Sequence, residues 1–124
     1  MKQVISTPNA PAALGTYSQA IKANGMLFAS GQLGINPATG ELPADFVGQA
    51  TQSLKNVSAI LEEAGTSFDN VVKVTVFMSD MANFAALNEV YAKFFSAPYP
   101  ARSAVAVKTL PKDALVEIEV MAVL

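Results

Sequence analysis

The chain contains no cysteine, no histidine and no tryptophan among its 124 residues. Without cysteine there is no disulfide, no thiolate nucleophile and no sulfur ligand. Without histidine there is no imidazole to serve a Ser-His-Asp or Cys-His site. Together these absences exclude every zinc site built from imidazole or thiolate, so no metal is expected. Charge is scarce as well: charged residues make up 15%, the net charge is −2 and the pI is near 4.9. The 8 lysines and arginines nowhere cluster, so no nucleic-acid partner is expected. No apolar run reaches the length of a membrane span, and no membrane partner is expected. The N-terminus lacks the basic-then-apolar order of a signal peptide, and the absence of cysteine fits a cytoplasmic protein. Neither standard glycine-rich phosphate loop occurs. Chemistry is left to arginine, carboxylates, tyrosine, hydroxyls, amides and backbone groups. Such a set suits mild work: binding an anion, placing a water, moving a proton.

Apolar residues, by contrast, are plentiful at 52%. The length suits a single domain, 1–124, with one core. A domain this small and this apolar is expected to hide surface in an oligomer. No repeats, linkers or low-complexity runs interrupt it.

Val4 and Ile5 mark a first strand over 2–7, which Asn9-Ala-Pro11 breaks. A second strand over 16–23 and a third over 26–33 flank Asn24-Gly25, a two-residue hairpin signal. Gly31, within Ser30-Gly31-Gln32, marks either a bulge or a close backbone approach. From Phe46 the apolar positions Phe46, Ala50, Leu54, Val57, Leu61 and Ala64 follow gaps of three and four. That is one helical stripe, with Asp45 as N-cap and Gly65 as its stop. Gly48 in its first turns reads as close packing. Over 70–79, Val72, Val74, Val76 and Met78 point one way, and Lys73, Thr75 and Phe77 the other. A second helix over 83–95 buries Phe84, Leu87, Tyr91, Phe94 and Phe95. Asn88 falls on the same stripe, so a buried amide tying down a nearby loop or strand end is expected.

Tyr99 to Val107 holds the chemistry. Pro100 enters a strand in which Arg102, Ala104 and Ala106 share one face, and Ser103, Val105 and Val107 the other. Methyl neighbours leave room beside the guanidinium, and its rigid fork of donors suits a small carboxylate. An ordinary arginine paired with a surface acid is the alternative. The last strand, 114–124, alternates Val116, Ile118, Val120, Ala122 and Leu124 against Leu115, Glu117, Glu119, Met121 and Val123.

Two helices can cover only one face of the resulting six strands. The other face, assigned Phe77, Met121, Val123, Ala104 and Ala106, is apolar and needs a cover. Self-association is the economical one. It would put Arg102, Glu117 and Glu119 on the subunit-facing side, where charges demand a partner or a wet cleft.

The motifs in order are Asn9-Ala-Pro11, Gly15 to Tyr17, Ser30-Gly31-Gln32, Asn36-Pro37 with Thr39-Gly40, and Asn56-Val57. They continue with Lys73 to Phe77, Pro100-Ala-Arg-Ser103, Leu110-Pro111 and Glu117-Ile-Glu119. In this collinear set the chain resembles the RidA (YjgF-type) family of imine deaminases. The resemblance implies an α+β, chorismate-mutase-like fold: a mixed six-stranded sheet with two helices on one face, packed as a homotrimer with a site at each subunit interface. It implies hydrolysis of short 2-imino or enamino acids, 2-iminobutanoate and 2-iminopropanoate (2-aminoacrylate), to 2-keto acids and ammonia, without a cofactor. It assigns Arg102 to the substrate carboxylate and Glu117 to the attacking water. Backbone groups of Gly31 and Ala104 would hold the substrate's ends. Tyr17 and Ser30 would line the cleft, with Asn88 near its support. One departure stands out: many relatives have cysteine where this chain has Ala104, whose backbone carbonyl is retained. Two other readings stay open. One is a non-catalytic trimeric module that binds small carboxylates or keto acids. The other is a chaperone-like or RNA-directed role, which the acidic balance disfavours.

Overall fold

The computed structural model describes all residues, 1–124. Strands β1 (Gln3–Ile5), β2 (Ala20–Ala23), β3 (Met26–Ala29) and β4 (Gln32–Leu33) come first. Then follow α1 (Phe46–Ala64), β5 (Val71–Met78), α2 (Phe84–Tyr91), β6 (Ala101–Ala106) and β7 (Val116–Val123). They make one sheet in the order β1-β2-β3-β7-β5-β6, with β4 also on β7. Only β5 and β6 pair in parallel, joined through α2; the other pairs are antiparallel. The last strand is thus inserted between the hairpin half and the crossover half.

The hairpin forms where Asn24-Gly25 indicates, with φ of 53° and 76° at the two turn residues. Asp45 caps α1 by accepting from the Gly48 N–H, and Gly65 ends it. Gly48 is tightly packed: a Cβ there would stand 2.8 Å from Pro43 Cβ. The second strand starts later than the sequence pattern suggests, at Ala20. Just before it, Gln19 accepts from Ser30 N through its carbonyl while its side chain ties down the neighbouring loop. Gln19 Oε1 accepts from Thr7 N at 2.6 Å, and Nε2 donates to the carbonyls of Thr7, Ala10 and Pro11. The third strand is interrupted at Ser30-Gly31. Phe28 pairs with Met121 and Gln32 with Ile118, so one side carries an extra residue, a bulge.

On β7 the expected alternation holds from Val116 to Ala122, whose inward residues are buried; Leu124 lies past the strand and is exposed. On β5 the pattern needs a correction. A register shift between Val71 and Lys73 turns Val72 outward, 42% exposed, and brings Val71 into the core with Val74, Val76 and Met78. Helix α2 is shorter than 83–95. Adjacent Phe94 and Phe95 both reach Phe68, with ring centroids 5.6 and 4.9 Å away. Past Tyr91 the chain leaves the regular helix, with the Phe94 and Phe95 N–H groups both donating to Tyr91 O.

A larger correction concerns β6. Arg102 stands beside Val74 and Ala104 beside Val76 in the parallel register. Val74 and Val76 are fully buried beneath the helices. Arg102, Ala104 and Ala106 therefore face the helices, not the uncovered side of the sheet. The uncovered face instead presents Ser103 and Val105 with Lys73, Thr75, Phe77, Glu117, Glu119 and Met121. Spacing within a strand divides its residues into two sets, but the register with a neighbour decides which set faces in. Phe28, Val105, Met121 and Val123 leave that face apolar and exposed. No helix is long and apolar enough to cross a membrane.

Candidate functional site

The residues that the sequence groups into one site form two cavities, with no lining residue in common. The first, of about 680 Å³, gathers Tyr17, Ser30, Gly31 and Glu117 with residues of the Asn36-Pro37 and Pro111-Lys112 turns. Glu117 enters from β7, where it pairs with Leu33 on one side and Phe77 on the other. Gly31 is what admits the carboxylate. A Cβ at position 31 would stand 2.9 Å from both Glu117 Cδ and Oε2. Any side chain there would push the carboxylate aside, so here the glycine marks a close approach as well as a bulge. Burial, and then the like charge of Glu119, hold the Glu117 carboxyl above the usual carboxylate range. A group so placed takes and returns a proton closer to neutral pH than an exposed glutamate does.

The walls of this cavity are tied from behind. The Ser30 hydroxyl donates to Ser18 O at 2.6 Å. From α1, Ser53 Oγ donates to Gln32 O, and Asn56 Nδ2 donates to both Leu33 O and Ile35 O. Gln49 accepts from Leu115 N and donates to Pro43 O. Gln49, Ser53 and Asn56 are buried, spaced four and three apart beside the apolar stripe of α1. That spacing is visible in the sequence, and a polar line along a buried helix face is the signal that was missed. Gln19, holding the loop that carries Pro11, belongs with them. Lys112 reaches the rim in left-handed backbone, with φ of 58°.

The second cavity, of about 380 Å³, is lined by Asn88, Tyr91, Ala92, Tyr99, Pro100 and Arg102. Phe84, Asn88 and Tyr91 lie one turn apart along α2 and form a cradle for Arg102. The guanidinium carbon is 5.4 Å from the Phe84 ring centroid and 4.8 Å from that of Tyr91. Arg102 Nη1 donates to Asn88 Oδ1 at 2.9 Å. Amide and rings hold the cation without neutralising it, so its remaining N–H edge is free for an anion. Asn88 is exposed, which overturns its expected role as a buried tie. Its partner is the arginine side chain rather than a backbone group. Ala104 lines neither cavity and packs against the core. No three metal-ligating side chains gather anywhere in the chain.

Arg102 and Glu117 project from opposite faces of one sheet, with β5 between their strands. They do not meet within one chain. The shared strand face expected for them is therefore wrong, because it assumed a β6 register that the fold does not adopt.

Residues 7–124 match the family described as Endoribonuclease L-PSP. The chain is 50% identical to the 2-iminobutanoate/2-iminopropanoate deaminase of Escherichia coli K12, over 99% of this chain and 98% of that one. A crystal structure of RidA from an Antarctic Psychrobacter superposes with a TM-score of 0.96 at 50% identity, covering 98% of this chain and 99% of that one. Escherichia coli TdcF with bound serine gives a TM-score of 0.95 at 48% identity, with 98% of each chain covered. With a mixed α+β fold of two helices on a mostly antiparallel sheet, and matched almost end to end, the chain belongs to the RidA family, the Endoribonuclease L-PSP family.

Proposed function

We propose that this protein hydrolyses short 2-imino acids to 2-keto acids and ammonia, at sites shared between neighbouring copies of a homotrimer. The observation that carries the reading is the separation of two complementary half-sites. One offers an arginine with no acid beside it, and the other a half-buried carboxylate with a raised pKa. Each lacks what the other has. The exposed apolar face of the sheet supplies a reason for copies to associate. The naming of a 50% identical relative as an imine deaminase supports the same chemistry.

The reaction asks little of a catalyst. The substrate carboxylate docks on the Arg102 fork, which sets the C=N bond across the interface toward Glu117. Glu117 takes a proton from water as the water oxygen bonds to the imine carbon, and the nitrogen gains a proton. The carbinolamine then loses the C–N bond as its hydroxyl becomes the keto group, releasing ammonia. Water and imine are consumed in equal number, and no redox partner is needed. Tyr17 and Ser30 border the space for the substrate, and Gly31 offers backbone groups beside it. Ala104 lines neither half-site and is given no side-chain role in this scheme. A cytoplasmic location and independence of any cofactor belong to the same proposal.

The test couples a serine or threonine dehydratase to the purified protein and follows imine loss. Arg102→Ala and Glu117→Gln are each expected to be inactive or nearly so. Mixed and reassembled, the two variants should recover roughly a quarter of the wild-type sites, because one interface in four then pairs an intact arginine with an intact glutamate. Inactive wild type that still binds 2-ketobutyrate would favour the binding module. Absence of recovery from verified mixed trimers would rule out the shared site.

A further inference from the structure

A polar band crosses the uncovered face of the sheet between apolar residues. Register places Ser103, Thr75 and Glu119 side by side on β6, β5 and β7. Val105 and Phe77 flank the band on one side, and Met121 and Phe28 on the other. The band carries a charge of each sign, held at opposite ends. Lys73 Nζ donates to Ser103 Oγ at 3.0 Å, toward the edge strand β6. Glu119 stands on the far side of β5, on β7. It borders a hollow of about 130 Å³ with Phe28, Thr75 and Met121. Lys73 borders the same hollow, yet its ammonium is turned to Ser103.

Neither charge suits this face once it is covered. An ammonium and a carboxylate buried among Phe28, Met121 and Val105 need partners. In a head-to-tail ring the β6 end of one copy meets the β7 region of the next, and cation then meets acid. The hollow suits a lysine, with its stem along Phe28 and Met121 and its charge at the carboxylate. The direction is also the one that the shared site needs. Arg102 directly precedes Ser103 on β6, and Glu117 shares a face of β7 with Glu119.

We propose that Lys73 of one copy forms an ion pair with Glu119 of the next copy, and that this contact sets the direction and register of the ring. It rests on the reading that copies associate through this face to complete a shared site. Charge complementarity of this kind fixes register and rejects wrong pairings more than it adds affinity.

The experiment reverses the charges and reads assembly by sedimentation and native mass spectrometry. It compares wild type, Lys73→Glu, Glu119→Lys, the double variant with both changes, and an equimolar mixture of the two single variants. Each single reversal should weaken assembly about ten-fold or more, and the double variant should regain it. In the mixture, rings containing both variants should predominate over rings of either alone. A copy with acids at both positions beside a copy with lysines at both satisfies the contact in each direction. Lys73→Met and Glu119→Gln are milder and give a reading even where a reversal does not fold; combined, they should weaken assembly by less than the sum of their separate effects. Additive effects, or wild-type assembly in both reversals, would overturn the pair. Recovery in the double variant with no preference for mixed rings would overturn it too, because the pair would then lie within one chain. Wild type that stays monomeric at micromolar concentration would overturn the shared site as well. Assembled wild type whose ring is indifferent to these charges would overturn this inference alone.

Discussion

The arginine cavity and the glutamate cavity are built by opposite means. The first is made mostly of side chains on a short helix facing an edge strand: Phe84, Asn88 and Tyr91 each touch Arg102 directly. The second owes its shape to backbone, through a bulge at Gly31, left-handed turns at its rim, and loops pinned by amides from α1 and from Gln19 just before β2. One is an electrostatic device that holds a fixed charge in place. The other is a mould that keeps a carboxylate half-dry and a space beside it. Under the function proposed, the difference is how a chain without histidine or cysteine would assemble its chemistry. Arg102 and Glu117 stand apart within a subunit, where they would otherwise neutralise each other as an ion pair; under the function proposed, the substrate would bring them together.

The two cavities should answer differently to substitution, most severely on the arginine side. Arg102→Ala should abolish both 2-ketobutyrate binding and imine hydrolysis. Arg102→Lys should weaken binding substantially although a cation remains, because the planar fork is lost. Calorimetry and the dehydratase-coupled assay on the same preparations check both. Full activity in Arg102→Ala would erase the contrast altogether.

On the glutamate side the expected split is between rate and binding. Glu117→Gln should lower the rate by roughly 10² or more while sparing keto-acid affinity, since shape is kept and the base is lost. Gly31→Ala should follow it in direction, as a methyl group there displaces the same carboxylate. In wild type the rate should fall as pH drops through the raised Glu117 pKa, and a flat acid limb would argue against a base at this position.

Stability should separate the cavities once more. Asn56→Leu leaves two part-buried carbonyls without their donor and is expected to cost about 1–3 kcal/mol by denaturant titration. Asn88→Ala, at an exposed helix position, should stay within about 0.5 kcal/mol and yet weaken keto-acid binding by loosening Arg102. Equal losses from the two would deny the distinction between mould and charge holder.

The smallest effect is one of linkage. Glu117 has a folded pKa above its unfolded value, so the folded state binds protons more tightly. Stability is therefore lost as pH rises from the ordinary carboxylate value through the raised one. Glu117→Gln should accordingly be slightly more stable than wild type at neutral pH, and the gap should close below the unfolded pKa. Melting curves across that range test the sign.

Much of this organisation was legible in the chain. Asn24-Gly25 determined a hairpin because both positions tolerate positive φ, and the stripe from Phe46 to Ala64 with Asp45 and Gly65 determined α1. The alternation of β7 fixed which side of that strand is apolar, and the missing histidine and cysteine limited the chemistry. These are local facts, settled by sterics and periodicity within a few residues. Tertiary structure alone decided which face of β6 turns inward, since nothing within Ala101–Ala106 states the register against β5. It decided that Val71 rather than Val72 is core, because a bulge shifts the phase of every residue before it. And it decided that Asn88 serves Arg102, and that Arg102 and Glu117 stand on opposite faces of the sheet. A strand's alternation is a property of its own backbone, whereas the side on which each set lands depends on pairing with strands distant in sequence.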